Sequence, residues 1–424
     1  MQNDVELRKR GCLFRILRAF CLLVLVFVLG VTALLLYFAT RYVPADFDTE
    51  AAGGISYTPL VQVVPGPGIP RDLDVRHSNN NLDIVKYKGR VYLAFRTAPT
   101  HFASKKTRLI VVSTEDRQKW ECEAEFALMQ SDLREPRFLV YQGRLFLYFF
   151  RGGDNPLGFA PKHIYATHLN DEGGWQEPKP IYKPGFVVWR AKEHQGNAYM
   201  SVYHGAGIYT TDDRPAEVRL LVSTDGYHWQ PISEKAQFTD ISGEEAEFAF
   251  DADGNLVVTV RMEVKGAEVC TACADDISTW DCKFTREKYD SALMIQHEGD
   301  VYVIARRNVD GYYNKDASWL PDRLERAYYL VRYSLTRKRT ALYKVDVEKK
   351  KLQALFDFPS RGDTAYAGAV QLDEHTWWVL NYSSDLEGPD WSWIAGQLAG
   401  SNIYATELRF GSTRSGGCAV NEED

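Results

Sequence analysis

The chain has 424 residues, enough for a large core and, by length alone, for more than one domain. Aromatic residues make up 13% and glycine is frequent, which favours an all-β chain with many turns over a helical bundle. The net charge is −7 and no long basic run follows the N-terminus, so composition argues against nucleic-acid binding.

The first element is the uncharged run Phe20 to Thr40, "FCLLVLVFVLGVTALLLYFAT", which has the length of a bilayer-spanning helix. Arg8, Lys9, Arg10, Arg15 and Arg18 precede it; Arg41 and then Asp46, Asp48 and Glu50 follow. This asymmetry predicts a cytoplasmic N-terminus at 1–18, a signal anchor at 19–41 and the rest of the chain on the periplasmic, extracellular or luminal side. A cleaved signal peptide is the rival reading; its apolar region would be shorter and followed by a small-residue cleavage site. A stem at 42–70, around "VVPGPGIPRD", leads into the main domain, 71–410, and a tail, 411–424, ends the chain.

From Ile84 on, one pattern recurs: "IVKYKGRVYLAFR", "FLVYQGRLFLYFFR", "AKEHQGNAYMSVYH", "FAFDADGNLVVTVR", "LMIQHEGDVYVIARR" and "AVQLDEHTWWVLNY". Each is an alternating apolar run, a tight polar turn and a second alternating run, hence a β-hairpin. The turns fall at Gly89, Gly143, Gly196, Gly254, Gly299 and near His375. A period of roughly fifty residues, with four strands' worth of sequence per unit, predicts a six-bladed β-propeller.

A second element keeps step with the hairpins: "STEDRQKW", "NDEGGW", "STDGYHW" and "ADDISTW", ending at Trp120, Trp175, Trp229 and Trp280. A short acidic side chain in each can close the turn on backbone N–H groups, and the Trp can bury its ring between strands. Seven cysteines are present. Cys12 and Cys21 belong to the anchor region, whereas Cys122, Cys270, Cys273, Cys282 and Cys418 would meet an oxidising compartment. "CTAC" has no second pair or His cluster to make a metal site, so Cys270 or Cys273 is expected to bridge to Cys282 across "ADDISTW". The alternative is that all are free and buried. No metal and no cofactor is expected.

In a propeller, residues just before the first strand of each blade and just after the second converge on one central pocket. A fixed offset of nine before each turn gives Asn80, Arg134, Val187, Glu245, Asp290 and Tyr366. An offset of seven after it gives Arg96, Phe150, Tyr203, Arg261, Arg306 and Tyr382, with Arg151, His204 and Arg307 next in line. Arginines, acids and tyrosines converging at a pocket mouth favour an anionic ligand, because the guanidinium fork grips a carboxylate bidentately.

"STDGYHW" resembles the Asp-box of the sialidase superfamily, with the other three turns as degenerate copies, and the resemblance extends over Arg71 to Leu408. It implies a six-bladed propeller of four-stranded sheets and an exo-glycosidase. It also implies three Arg on the sugar carboxylate, a Tyr nucleophile paired with a Glu, and an Asp acid/base. "GEEAEFAFDADGNLVVTVR" is similar to the family segment carrying the Glu and one Arg, which puts Glu245 and Arg261 there; "DTAYAGAVQL" puts Tyr366 at the nucleophile. Two family positions depart. The first Arg is replaced by Asn in "HSNNNLD", with Arg76 or Arg96 as imperfect substitutes. The acid loop "TAPTHFASKK" holds His101 and no acid, leaving His101 or Asp83 as proton donor. Arg306, backed by Arg307, is the positional choice for the third Arg.

The expectation is a membrane-anchored glycosidase acting on a glycan or glycoconjugate with a terminal acidic sugar. Tyr366, Glu245, His101 and Asp83 are the catalytic candidates; Arg261, Arg306, Arg307, Arg96, Arg151, Asp290 and Tyr382 are the binding candidates. The competing readings are a divergent glycosidase working through carboxylates on another sugar, and a carbohydrate-binding propeller without catalysis. A five-bladed furanosidase-type propeller is disfavoured, because six hairpins are countable.

Overall fold

The computed structural model describes residues 2–40, 45–155, 158–204, 215–310 and 317–411. Six sheets form the six blades, each running outward from an inner strand. The inner strands are Ser78–Tyr87, Leu133–Tyr141, Phe186–His194, Gly243–Phe250, Asp290–His297 and Thr364–Gln371. Each pairs with the next strand in sequence, so the six hairpins legible in the sequence are the inner halves of the blades.

Burial explains why these halves were easy to read. Inner strands are covered on both faces by neighbouring blades; every residue of Gly243–Phe250 is buried. Outer strands such as Asp281–Thr285 and Glu121–Phe126 have few buried residues and carry weak patterns.

The four Trp turns share one hydrogen-bonding design. Asp225 Oδ1 accepts from the N–H groups of Tyr227 (2.8 Å) and His228 (2.7 Å). Asp116 does the same for Gln118 and Lys119, both at 2.8 Å, and Asn170 for Glu172 and Gly174. Trp229 and Trp280 then donate their indole N–H groups back to the turn, to Gly226 O and Ile277 O. Gly226 lies at φ +82°, and a Cβ there would stand 2.6 Å from the Phe146 ring, so glycine is required.

Blade six closes the ring, and here the domain boundary moves. Its strands Thr364–Gln371, Thr376–Ser383 and Asn402–Phe410 are joined by Ile55–Tyr57 and Val61–Val64, both paired with Asn402–Phe410. Part of the expected stem at 42–70 is therefore built into the propeller. The stretch was hard to read because the two strands are short and mostly half-exposed. Two further helices also escaped the hairpin pattern: Asp322–Leu335, and Trp393–Ala399 just before the last strand.

The N-terminal helix Gln2–Thr40 contains a span, Leu13–Leu34, long and apolar enough to cross a membrane, and no part of that span is buried against the propeller. Cys270 and Cys282 lie opposite one another on adjacent strands and form a disulfide. Cys21, Cys122 and Cys273 are exposed free thiols, while Cys12 and Cys418 lie outside the residues whose side chains are described. Cys270→Ser is expected to lower stability by about 3 kcal/mol, the loop-entropy value for so short a loop. Urea unfolding of the oxidised wild type against the variant checks this.

Candidate active site

The pocket is made by a repeated backbone defect. Every inner strand slips register near its start: at Asn80/Leu82, Arg134/Arg137, Val188/Arg190, Glu244/Glu247, Asp290/Leu293 and Ala365/Gly368. Such bulges bend the strand and re-aim one side chain. In five blades the re-aimed residue has positive φ: Asn81 (42°), Glu135 (57°), Glu245 (41°), Ser291 (52°) and Tyr366 (75°). None is glycine, so each carries strain of roughly 1–2 kcal/mol. All five line one cavity of about 340 Å³ at the centre of the propeller. In blade three the slip brackets Trp189, which is fully buried, with the centres of its ring and the Tyr366 ring 5.2 Å apart in an edge-to-face arrangement.

This corrects the counting. The inner hairpin loops 88–89, 142–143, 195–196 and 298–299 are shorter than the loops 251–255 and 372–375. A fixed offset therefore lands on the pocket residue in blades four and six, one residue early in blades one, two and five, and two early in blade three. Asn80, Arg134 and Asp290 stand where Asn81, Glu135 and Ser291 supply the bulge residue. Arg134 still reaches the cavity from its neighbouring position. The offset after the turn holds for Phe150, Tyr203, Arg261, Arg306 and Tyr382, all of which line the cavity.

Tyr366 sits in the pocket wall, 3% exposed, and its hydroxyl has no hydrogen-bond partner among the described residues. The Arg137 guanidinium lies 4.1 Å from the centre of its ring and 4.6 Å from Trp189, and makes no hydrogen bond among the described residues. Burial brings Arg137 down to about 10. Glu135 accepts from Asn81 Nδ2 at 3.3 Å and lies 3.8 Å from Arg137. Burial, reinforced by the Glu245 charge and opposed by Arg137, pushes its carboxyl up to about 8. Glu135 thus carries a proton at neutral pH, and its Oε2 makes no hydrogen bond among the described residues.

Glu245 accepts hydrogen bonds from Arg261 and from the Ser291 N–H at 2.9 Å. Its expected direct hydrogen bond to Tyr366 is not made. Arg261 also pairs with Glu263, with Asp290 at 3.1 Å and with Glu244 at 3.3 Å, so four carboxylates of the chain share its charge. Arg261→Met should cost at least about 3–5 kcal/mol, because it strands buried charge. A matching fall in the urea midpoint is the check. Arg306 is bound mainly by neutral oxygens: Thr364 O (2.7 Å), Ser291 Oγ (3.2 Å), Tyr333 Oη (3.3 Å) and Tyr382 Oη (3.4 Å), with Asp290 at 3.9 Å.

His101 is no surface residue. It lines the cavity, 12% exposed, with Nδ1 2.5 Å from Asp363 Oδ2. Burial lowers its pKa despite the Asp363 charge, which keeps the ring neutral at pH 7. Tyr382 shares Asp363, at 3.3 Å from Oδ1.

Five expected site residues lie elsewhere. Asp83 is two residues deeper along its strand than Asn81, bound to the Phe138 N–H (2.8 Å) and Arg190 (3.2 Å). Arg96 is completely buried on Asp132 (2.9 Å) and on the carbonyl of Phe102 (2.9 Å), bracing the loop that carries His101. Asp290 stands behind the wall, bonded to Tyr333 and Arg261. Arg151 and Arg307 follow the cavity residues Phe150 and Arg306, and strand alternation turns them to the opposite face. Arg151 meets the Tyr165 ring and Arg307 grips Asp357 at 2.6 Å. What the sequence reading missed is Glu135, Asn81, Ser291, Arg137 and Trp393 of the helix Trp393–Ala399. Correcting the offset for loop length would have found the first three.

A proton-bearing carboxylic acid, an Arg-paired carboxylate, an unpartnered phenol over a cation and a neutral imidazole face one small cavity. That set can run acid–base chemistry on one sugar-sized ligand.

No family model matches the sequence, and no curated protein matches it. Solved structures do. A protein of unknown function from Dyadobacter fermentans is 17% identical, with a TM-score of 0.59 over 84% of this chain and 99% of that one. Trypanosoma rangeli sialidase in complex with the inhibitor DANA is 14% identical, with a TM-score of 0.56 over 83% of this chain and 59% of that one. The same sialidase with 2,3-difluorosialic acid, described as a covalent intermediate, is 13% identical with a TM-score of 0.54. The chain spans 59% of the length of those sialidase chains. It has a sialidase-like six-bladed propeller fold.

Proposed function

We propose that the protein is a glycoside hydrolase that removes one terminal sugar. The observation that carries this reading is the set of bulges that turn Tyr366, Glu245 and Glu135 into one cavity of about 340 Å³, room for a single ring.

The Tyr366 phenol oxygen bonds to the anomeric carbon as the glycosidic C–O bond breaks. Glu245 takes the phenolic proton, and Glu135 protonates the departing oxygen. Water then attacks the anomeric carbon as its bond to the Tyr366 oxygen breaks, giving its proton to Glu135 while Glu245 returns one to Tyr366. The Arg137 cation over the Tyr366 ring supports the negative charge that develops there. His101, held neutral, suits accepting a hydrogen bond at the cavity wall better than donating the reaction's proton.

The sugar is acidic, of the sialic-acid kind. Arg306 faces the cavity with most of its partners neutral, and a phenol nucleophile avoids the repulsion a carboxylate would suffer from an anionic sugar. A neutral sugar is the second reading, favoured by Arg261, whose charge is shared among four carboxylates of the chain. By its N-terminal helix the enzyme is anchored in a membrane, with the propeller on the non-cytoplasmic side. The test is the detergent-solubilised full chain against aryl glycosides of acidic and neutral sugars, with glycan binding measured in parallel. Hydrolysis of an acidic glycoside supports the first reading and hydrolysis of a neutral one the second. Binding without hydrolysis of any member sinks both and leaves a carbohydrate-binding propeller.

A further inference from the structure

At the other end of the propeller from the cavity, the last residue of blade five's inner strand is His297, and Glu298 begins its loop. His375 ends the corresponding loop of blade six. The two loops bring one ligand atom from each residue to within 4.8 Å of the others. Glu298 Oε1 is 3.9 Å from His297 Nε2 and 3.7 Å from His375 Nδ1. These are too long for hydrogen bonds. They are close to the spacing of atoms that share a metal at about 2.0–2.2 Å, and side-chain motion under about 1 Å closes the difference.

The second observation is burial. The His297 side chain is 5% exposed, and its Nε2 has no hydrogen-bond partner among the described residues; His375 Nδ1 is likewise buried and unpartnered. Two imidazole nitrogens aimed at one carboxylate, with no hydrogen bond among the described residues, is a costly arrangement. The imidazoles are also fixed. His297 stacks on Phe410 at 4.1 Å, and the His375 carbonyl accepts from the Phe410 N–H at 2.8 Å. Asp300 and Glu374 are close enough to act on His297 and add negative potential.

We propose that His297, Glu298 and His375 bind a divalent transition ion. Zn²⁺ suits two nitrogens and one carboxylate oxygen, with water in the fourth position. The six-residue path from Ser291 to His297 separates it from the cavity by ~20 Å, so its role is structural. It pins blade five to the blade that closes the ring. Nothing in the sequence pattern suggested it, because His297 and His375 stand far apart in the chain and neither sits in a ligand-spacing motif.

The experiment uses the tag-free full chain in detergent, stripped with chelator and titrated with Zn²⁺, then with Co²⁺ as a spectroscopic probe. The expected result is one equivalent bound, a raised melting temperature, and visible Co²⁺ bands of low coordination number. His375→Gln and Glu298→Gln, both half-exposed and tolerable to the fold, should each weaken binding by about a hundredfold. Cys273→Ser should leave it unchanged. Wild-type protein that takes up no Zn²⁺ overturns the proposal. So does uptake that survives His375→Gln, or uptake that Cys273→Ser abolishes.

Discussion

Tyr366→Phe is expected to lower kcat by about 10⁴-fold while leaving the fold as stable as before, or more so. The two effects have one cause. The hydroxyl is buried with no hydrogen-bond partner among the described residues, and such a group costs about 1–3 kcal/mol. The phenylalanine ring keeps the contacts with Arg137 and Trp189, so shape and cation–π packing survive. Loss of turnover with unchanged or raised melting temperature marks a group retained for chemistry at the expense of stability. Ligand binding should change little, since an oxygen needed as nucleophile contributes mainly at the transition state. Full activity in the variant would remove Tyr366 from the mechanism. A fall in activity matched by a fall in stability would return it to packing.

Glu135→Gln is the second large effect, with kcat reduced by about 10²–10⁴-fold. The pH dependence separates loss of a proton from loss of a contact. The wild-type carboxyl titrates at about 8 and acts when protonated, so activity should fall as pH rises through that value. In Glu135→Gln the residual activity should lose that alkaline limb. Stability follows the same titration. The folded state holds its proton more tightly than the unfolded one, whose glutamate titrates near its ordinary value. Wild-type stability is therefore full below that ordinary range and declines as pH rises through about 8. The variant, with nothing to titrate there, should gain on the wild type above pH 8. Melting temperatures of both proteins at pH 6 and pH 9 read the difference. Parallel curves would place the Glu135 proton elsewhere.

The fold was legible because a propeller repeats its clearest element. Hairpins covered on both faces are apolar along both strands, and the Trp turns mark the period between them. The site was legible only where local length happened to agree. Tyr366 and Glu245 were found because their blades have longer loops, and Glu135 was missed by a single residue because its blade has a short one. Alternation along a strand explains Arg151 and Arg307, each one position beyond the residue that faces the cavity. Asp83 and Arg96 belong to the structure's own ion pairs, which composition cannot tell from ligand contacts. Tyr333, Trp393 and Gln397 come from helices inserted between strands, where no period points.

The strand Ile55–Tyr57 enters blade six opposite Phe410, beside His375 and at the far end from the cavity. From there the chain runs along the last strand toward Asn402, which pairs with Ser383 beside the cavity residue Tyr382. Just before it, the Asp48 N–H is already fastened to Ala354 O at 2.8 Å. Ahead of it, the Phe47 ring lies 5.4 Å from the Arg307 guanidinium, next in the chain to the cavity residue Arg306. The stretch from Asp48 to Val64 thus fastens the outer strand of blade five to the last strand of blade six, a clasp across the seam where the ring closes.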